Sequence, residues 1–432
     1  MKISLFQGIL MGVFCLGALI GLFVFSTYKG DSAASAVGSV TIWGTLPAAS
    51  VQLTLTTLGQ TTAEFKNVTY SEKRSATLGT DLAAAIATGV APDLVLASQE
   101  ELKALIKFIE PIPFSSISAA SFQNTFVGAA DIFAAPSGHY GLPFLVDPIV
   151  LYSNQSILSS NGIARPPATW EALAGLVPSV AVLTPSRQIT RALIALGTYT
   201  NIHNAHAILS TLFLQVGIPL STRSSVGGIT ADLGARMLEG VPRGEAVLGF
   251  YTQFADPTKV SYTWNASLPN SEQSFLSGDL TLHLDYASRA RVLRTTNPNL
   301  DFTVSAVPQP ATANVKRVYG LVYAFMIPRA QVNRTGAFTV ATLFTGSDAQ
   351  RIASAVTGLA PSTLTELSVA QNDPTAAVVN SEALYTSAWL SPAPERVDQV
   401  FSSMIGNVMS GRFSIPVALS TAEQSLNAAL QQ

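Results

Sequence analysis

The stretch from Tyr140 to Trp170, YGLPFLVDPIVLYSNQSILSSNGIARPPATW, restricts the fold more than any other part of this chain. It opens with a turn, Tyr140-Gly141-Leu142-Pro143, and continues as a run of Val, Ile, Leu and Tyr long enough for a buried strand. One acid, Asp147, and one proline, Pro148, sit inside that run. A strand buried on both faces excludes a carboxylate unless it is paired, because desolvating it is costly. Proline removes a ladder donor at the same place. The pattern predicts an interrupted strand with an acid at the interruption. A short helical segment over 154–160, a stop at Gly162, an extended Pro166-Pro167 pair and a helix from about Trp170, capped by Thr169, follow.

At 432 residues the chain suits two domains rather than one. Aliphatic and aromatic residues make up 48% and supply a large core, whereas only 12% are charged. The mean hydropathy of +0.35 is carried by Ala, Leu and Val in helical patterns rather than by repeated membrane spans. Net charge is −2 and no Lys/Arg run exists, which excludes a nucleic-acid partner. Cys15 is the single cysteine, so the body offers no disulfide and no thiolate metal site.

Residues 1–28 read as a membrane anchor or a signal segment. Ile9–Phe25 is almost wholly apolar between Lys2 and Lys29. The apolar stretch approaches the ~20 residues that cross a bilayer. It exceeds the ~7–15 residues of a secretory core. Ala34-Ser35-Ala36 offers a cleavage pattern all the same. Residues 29–38 are small and polar, as in a tether. The expected location is extracytoplasmic, tethered to the outer face of the cytoplasmic membrane, or periplasmic or secreted if the segment is cleaved.

From Ser39 onward strands alternate with helices, which predicts mainly parallel sheets. Strands are expected at 39–43, 65–70 and 94–96, separated by an alanine-rich helix that Gly89 ends. The stretches 191–197, 207–217 and 246–254 read as helical, 180–183 and 280–284 as strands, and 317–327 as a returning strand. Helices over 338–344, 349–356, 396–409 and 420–430 complete the pattern.

Tyr140-Gly-Leu-Pro, Asp147, Leu151-Tyr152-Ser-Asn154 and Pro166-Pro-x-Thr-Trp170-Glu together resemble the extracellular solute-binding proteins of ABC importers, in the carbohydrate-binding branch that includes the maltose-binding proteins. The Ala91-Pro92-Asp93 turn into a strand fits the same series. The resemblance spans about residues 39–432 and implies an α/β, two-lobed, type II periplasmic-binding-protein-like fold. Each lobe would be a mainly parallel sheet flanked by helices, with the ligand in the cleft between them. It implies lobe one over 39–146 and 309–359, and lobe two over 147–308 and 360–432. It implies hinge closure on a sugar or another small polar solute, a monomer, delivery to ABC permease transmembrane subunits, membrane contact through the N-terminal segment, and no cofactor.

Sugar rings pack apolar faces on aromatics, and their hydroxyls need paired donors and acceptors. Asp147 is the first candidate, as an acceptor at the first crossing or else as a paired, turn-capping acid. Trp43 and Gly44 end a strand at the implied cleft, with a core tryptophan as the alternative. Asp285, Tyr286 and Ser288 end another strand, where Asp285 can also cap the next helix. Tyr319 and Tyr323 share one face of the returning strand. Trp264, Tyr251 and Trp389 are further aromatics, at positions where core packing competes. Ser98, Arg187 and Gln188 are loop candidates, and Asp93 is expected to hold its own turn.

No nucleophile elbow, zincin, phosphate-loop or dinucleotide motif is present. His203 and His206 are three apart, but no acid lies near them in register, so they read as a surface pair rather than a metal site. A glycosidase needs only two carboxylates, so it stays as the enzymatic alternative; a surface sensor without a transporter is the third. A sugar or oligosaccharide is the expected ligand, with a polyol, glycerol phosphate or peptide as alternatives. Glycerol phosphate would want more cations than Arg187 alone.

Overall fold

The computed structural model describes residues 37–223, 228–234 and 242–431. The candidate anchor at 1–28, with Cys15, and most of the 29–38 tether lie outside the described residues. Among the described residues no helix is long and apolar enough to cross a membrane.

Nine strands position the site. They are β1 (Val40–Gly44), β2 (Val68–Glu72), β3 (Leu94–Ala97), β4 (Leu142–Asn154), β5 (Val182–Leu183), β6 (Ile189–Ile194), β7 (Leu280–Tyr286), β8 (Phe302–Ser305) and β9 (Val318–Pro328). They follow the order β2-β1-β3-β9-β4-β7-β6-β5, with β8 added on β4. All 13 residues of β4 are buried. Its first half, Leu142–Pro148, pairs with β9, and its second half, Ile149–Ser153, pairs with β7. One strand therefore belongs to two half-sheets, one in each lobe of a two-lobed α/β fold.

The interruption read from the sequence is the changeover point. Pro148 lies opposite Gly320 of β9. A Cβ at Gly320 would come within 2.9 Å of the Pro148 Cα, so the proline needs a glycine across from it. The Pro148 carbonyl turns to accept the Ala287 N–H at 2.9 Å. This bond continues the β4–β7 register one pair beyond Tyr286 and Ile149, and draws the chain after β7 onto the crossing.

Within each half the strands run parallel, as β2-β1-β3 and as β7-β6, but β9 and β4 are antiparallel to their neighbours. The sheet is thus parallel over β2-β1-β3 and β7-β6, and antiparallel at its centre and at its β5 edge. Two other expectations change. Of the stretch 191–197, read as helical, residues 191–194 lie in β6, because the short apolar run after Arg191 fits a buried strand as well as a helix. Residues 63–67 form a 3₁₀ turn, and the strand expected at 65–70 begins at Val68. The helix predicted to end at Gly89 spans Ser75–Thr88, and Gly89 adopts φ 72°, the left-handed stop that glycine permits.

Beneath β1 to β3, Phe65, Phe144, Phe325 and Phe344 form a core whose rings lie 4.5–5.0 Å apart. Asp93, expected to hold its own turn, instead links three elements. Its carboxylate accepts the Thr41 N–H at 2.8 Å, the Thr41 hydroxyl at 2.9 Å and the Asn333 N–H at 2.9 Å. Asp93→Ala should lower the unfolding free energy by about 1–3 kcal/mol in urea denaturation, because buried donors lose their acceptor. Asp93→Asn, which keeps one acceptor oxygen, should lose less. Equal stability of wild type and Asp93→Ala would show that the bridge does not support the fold.

Candidate functional site

The C-terminal ends of the parallel strands from both halves point toward one region. At the end of β3, Ser98 caps the helix Gln99–Leu105 in a capping box with Glu101. Its hydroxyl accepts the Glu100 N–H at 3.2 Å and donates to Glu101 Oε2 at 2.6 Å. Gln99 is fully buried and fixes the helix to β9: it accepts the Val322 N–H at 2.8 Å and donates to the Gly320 carbonyl at 3.2 Å. With both neighbours fixed, the Glu100 side chain is held at the strand end.

The other half supplies His206, in the first turn of the helix Ala205–Gln215, and Tyr286, the last residue of β7. His206 Nε2 lies 3.3 Å from Glu100 Oε1 and 3.5 Å from the Tyr286 hydroxyl. The Tyr319 hydroxyl, from β9, donates to the same Glu100 oxygen at 2.6 Å. Behind the imidazole, His206 Nδ1 lies 3.6 Å from Asp398 Oδ1, which also accepts the Tyr199 hydroxyl. One imidazole therefore joins a carboxylate of the first half to groups of the second.

The electrostatics follow from this arrangement. The His206 side chain is only 15% exposed. Burial pushes its pKa down, but the Glu100 hydrogen bond and charge outweigh burial and hold it above the ordinary value. Burial pushes Glu100 up, and its bonds to His206 and Tyr319 more than reverse this, leaving it below the usual carboxylate range. Burial, then the Glu100 charge, lifts the Tyr286 and Tyr319 hydroxyls well above theirs, so both stay protonated donors.

The structure brings several sequence candidates to this region. Tyr286 and Tyr319 belong to the network itself. Asp147 is only 3% exposed, and its Oδ1 accepts the Ser288 N–H at 3.0 Å, which ties the crossing to the turn after β7. Burial raises its carboxyl to about 7 against the opposing Ser288 bonds. Asp147 and Ser288 thus engage each other. Tyr323 is half-buried on β9, two strand repeats from Tyr319. Trp43 is half-buried at the end of β1, with the Lys73 ammonium 4.0 Å above its ring. Gly44 is a packing requirement, since a Cβ there would sit 2.7 Å from the Leu96 carbonyl.

Other candidates serve the fold. Asp285 is fully buried and accepts bonds from Asn204, His203 and its own neighbour's N–H. Trp264 and Tyr251 are core residues; Trp264 NH points to Asn201 and the Tyr251 hydroxyl donates to the Thr198 carbonyl at 2.6 Å. Trp389 is buried with its indole N–H on Ser210 Oγ at 3.2 Å. It borders a groove of about 640 Å³ with Arg223, Lys316, Arg317 and Tyr385, toward the far end of the His206 helix. Ser98 is spent on its cap. Arg187 and Gln188 lie on an exposed turn, with Arg187 over the Tyr262 ring.

Glu100, Asp398 and Tyr199 escaped the sequence reading, and His206 was misread as surface. The sequence holds no acid in register with His206, yet its acid partner is 106 positions away. The Ser98-x-x-Glu101 cap was the available signal, because a helix N-terminus at a parallel strand end is where such folds bind ligands.

Residues 58–380 match the family described as bacterial extracellular solute-binding protein. No curated protein matches the sequence. Among solved structures, the chain is similar to the cyclic α-maltosyl-1,6-maltose binding protein from Arthrobacter globiformis, at 15% identity and TM-score 0.73 over 91% of this chain and 99% of that one. It is similar to the sugar-binding protein MalE from Xanthomonas citri, at 16% identity and TM-score 0.71 over 91% and 98%. It is also similar to an ABC transporter solute-binding protein from Thermotoga lettingae bound with α-D-tagatose, at 18% identity and TM-score 0.67 over 91% and 99%.

The contact between the halves should depend on pH. Glu100, with its pKa lowered from 4.5, contributes fully above that value and fails as pH falls through its folded value. His206, raised from 6.5, contributes fully below that value and fails as pH rises through its folded value. The ligand-free radius of gyration in small-angle X-ray scattering should therefore grow as pH rises above the ordinary imidazole value of about 6.5. His206→Gln should flatten that rise; a wild-type radius independent of pH would refute the contact's role.

Proposed function

The chain belongs to the bacterial extracellular solute-binding proteins, and we propose that it captures a sugar or oligosaccharide between its lobes and delivers it to the transmembrane subunits of an ABC importer. The observation that carries this reading is the Glu100–His206–Tyr286–Tyr319 network. It combines a carboxylate acceptor, a titratable imidazole and two phenol donors from both halves of the sheet. Hydroxyl ligands need both acceptors and donors, and the phenol rings add apolar faces for sugar C–H groups. A bound solute would take over the bonds that Glu100 and His206 now make to each other. The bound state is then favoured as the closed state, because only closure brings both partners to the ligand.

Several features support the sugar assignment. Similar folds bind a cyclic maltosyl-maltose and α-D-tagatose. Around the network, carboxylates outnumber fixed cations, which disfavours a phosphorylated solute. Trp43, Tyr323, Ser288 and Asp147 form the proposed outer contacts, reached when the lobes open. The proposed lobes are 39–146 with 309–359 and 147–308 with 360–432, and the change of β4 partners at Pro148 supports that division. The family is extracytoplasmic, and the apolar N-terminal stretch is proposed to hold a monomer at the membrane. We assign binding without turnover.

A thermal-shift screen of the protein against mono- and oligosaccharides tests this reading. A sugar that binds only the folded state should stabilise it by about 2.7 kcal/mol at one hundred times Kd. Glu100→Gln and Tyr286→Ala should each abolish most of that shift. A flat response to every sugar class would sink the carbohydrate assignment, and release of shortened sugar products would replace binding with hydrolysis.

A further inference from the structure

Behind Tyr286, on the side away from Glu100, four potential metal donors converge. The groups are His203, Glu272, His283 and Asp285, and no two of their nearest donor atoms lie more than 4.8 Å apart. The chain has four histidines in 432 residues, and two of them reach the same buried carboxylate oxygen. Asp285 Oδ2 lies 2.7 Å from His203 Nδ1 and 3.1 Å from His283 Nε2. His203 Nδ1 lies 3.7 Å from Glu272 Oε2.

The convergence is built into the fold. His283 and Asp285 are two apart on β7, so strand alternation puts both on one face. His203 comes from the turn before the helix Ala205–Gln215, where Asn204 adopts φ 53°. The His203 N–H is bonded to the hydroxyl of Ser271 at 2.9 Å, which joins that turn to the helix carrying Glu272. Asp285 Oδ1 is occupied by Asn204 Nδ2 and by the Tyr286 N–H, which orients Oδ2 toward the imidazoles. Arg289 grips Glu272 through two nitrogens, at 2.6–2.9 Å. These outer bonds are the kind that aim metal ligands.

We propose that His203, His283, Asp285 and Glu272 form a binding site for a divalent transition metal of the zinc class. Two imidazoles and two carboxylates match zinc chemistry better than calcium or magnesium, which favour oxygen-only shells. The two carboxylates offset the ion's charge, with that of Glu272 shared with Arg289. In a tetrahedral zinc site, donor atoms stand about 3.3 Å apart, given bonds of about 2.0–2.1 Å. The separations above bracket that figure, so coordination needs an adjustment of about 1 Å. Asp285 and His283 are buried, while the His203 side chain is 34% exposed and that of Glu272 19%, which gives an ion a route from solvent. The ion would fix the end of β7, and with it Tyr286, whose N–H rests on Asp285.

The full-length protein, stripped with a chelator, tests this by isothermal titration with Zn²⁺, with Co²⁺ absorption as a second readout. The expected result is one Zn²⁺ per chain, a raised unfolding midpoint, visible Co²⁺ bands of imidazole–carboxylate coordination, and no response to Ca²⁺ or Mg²⁺. His203→Ala and Glu272→Gln change partly exposed side chains, so the fold should survive, as circular dichroism can verify. Each should weaken zinc binding by at least the about 10–100-fold that loss of an outer-shell partner costs. No zinc binding by the wild type would overturn the proposal and leave a hydrogen-bonded Asp285 cluster. Unchanged zinc binding in both variants would overturn it too, by moving the metal elsewhere. A variant that fails to fold leaves the wild-type titration and the Co²⁺ spectrum to decide.

Discussion

The pairing of β4 with β9 in one half and with β7 in the other is the constraint on which the rest depends. A strand buried along its whole length must have both edges satisfied by neighbours, because no water reaches its backbone. β4 meets this with β9 and residues 360–361 along its first half and with β7 and β8 along its second, and the change of partners comes at Pro148, which lacks a backbone donor. Gly320 opposite makes room for the ring's backbone, and Asp147 takes the Ser288 N–H beside it. The feature that breaks the strand pattern in sequence is thus what allows one strand to serve two lobes.

Charge placement follows from that geometry. The strand ends of both halves bring Glu100 and His206 into a mostly dry space, where an isolated charge is costly. Each group keeps its charge because the other is there, and their pKa values move in opposite directions for that reason. Two phenols whose burial keeps them protonated complete the set. A polar cluster of this kind is well suited to exchange its internal bonds for those of a hydroxylated solute. Its cost without a partner is also why it holds the halves together when none is bound.

Asp147 and Asp285 were both read as candidates to face a ligand, and both also accept bonds from their own surroundings. Asp285 is surrounded by donors from its own half, and Asp147 by the turn after β7. An acid at a strand end is as useful for fixing the backbone that presents a ligand contact as for making that contact.

Periodicity and punctuation in the sequence determined the alternation of strands and helices, the cap at Ser98, the stop at Gly89, and the interrupted strand at Asp147-Pro148. These are local, since each depends on backbone geometry within a few residues. The stretch 191–197 was ambiguous because its apolar run is short enough to satisfy either period. Only the tertiary structure decided that Glu100 meets His206, that Asp398 and Tyr199 stand behind them, and that His203 and His283 converge on Asp285. Those partners lie on separate elements, 106 positions apart for His206 and Glu100 and 199 for Tyr199 and Asp398. Their meeting is set by the sheet order and the partner change of β4, which a single sequence does not spell out.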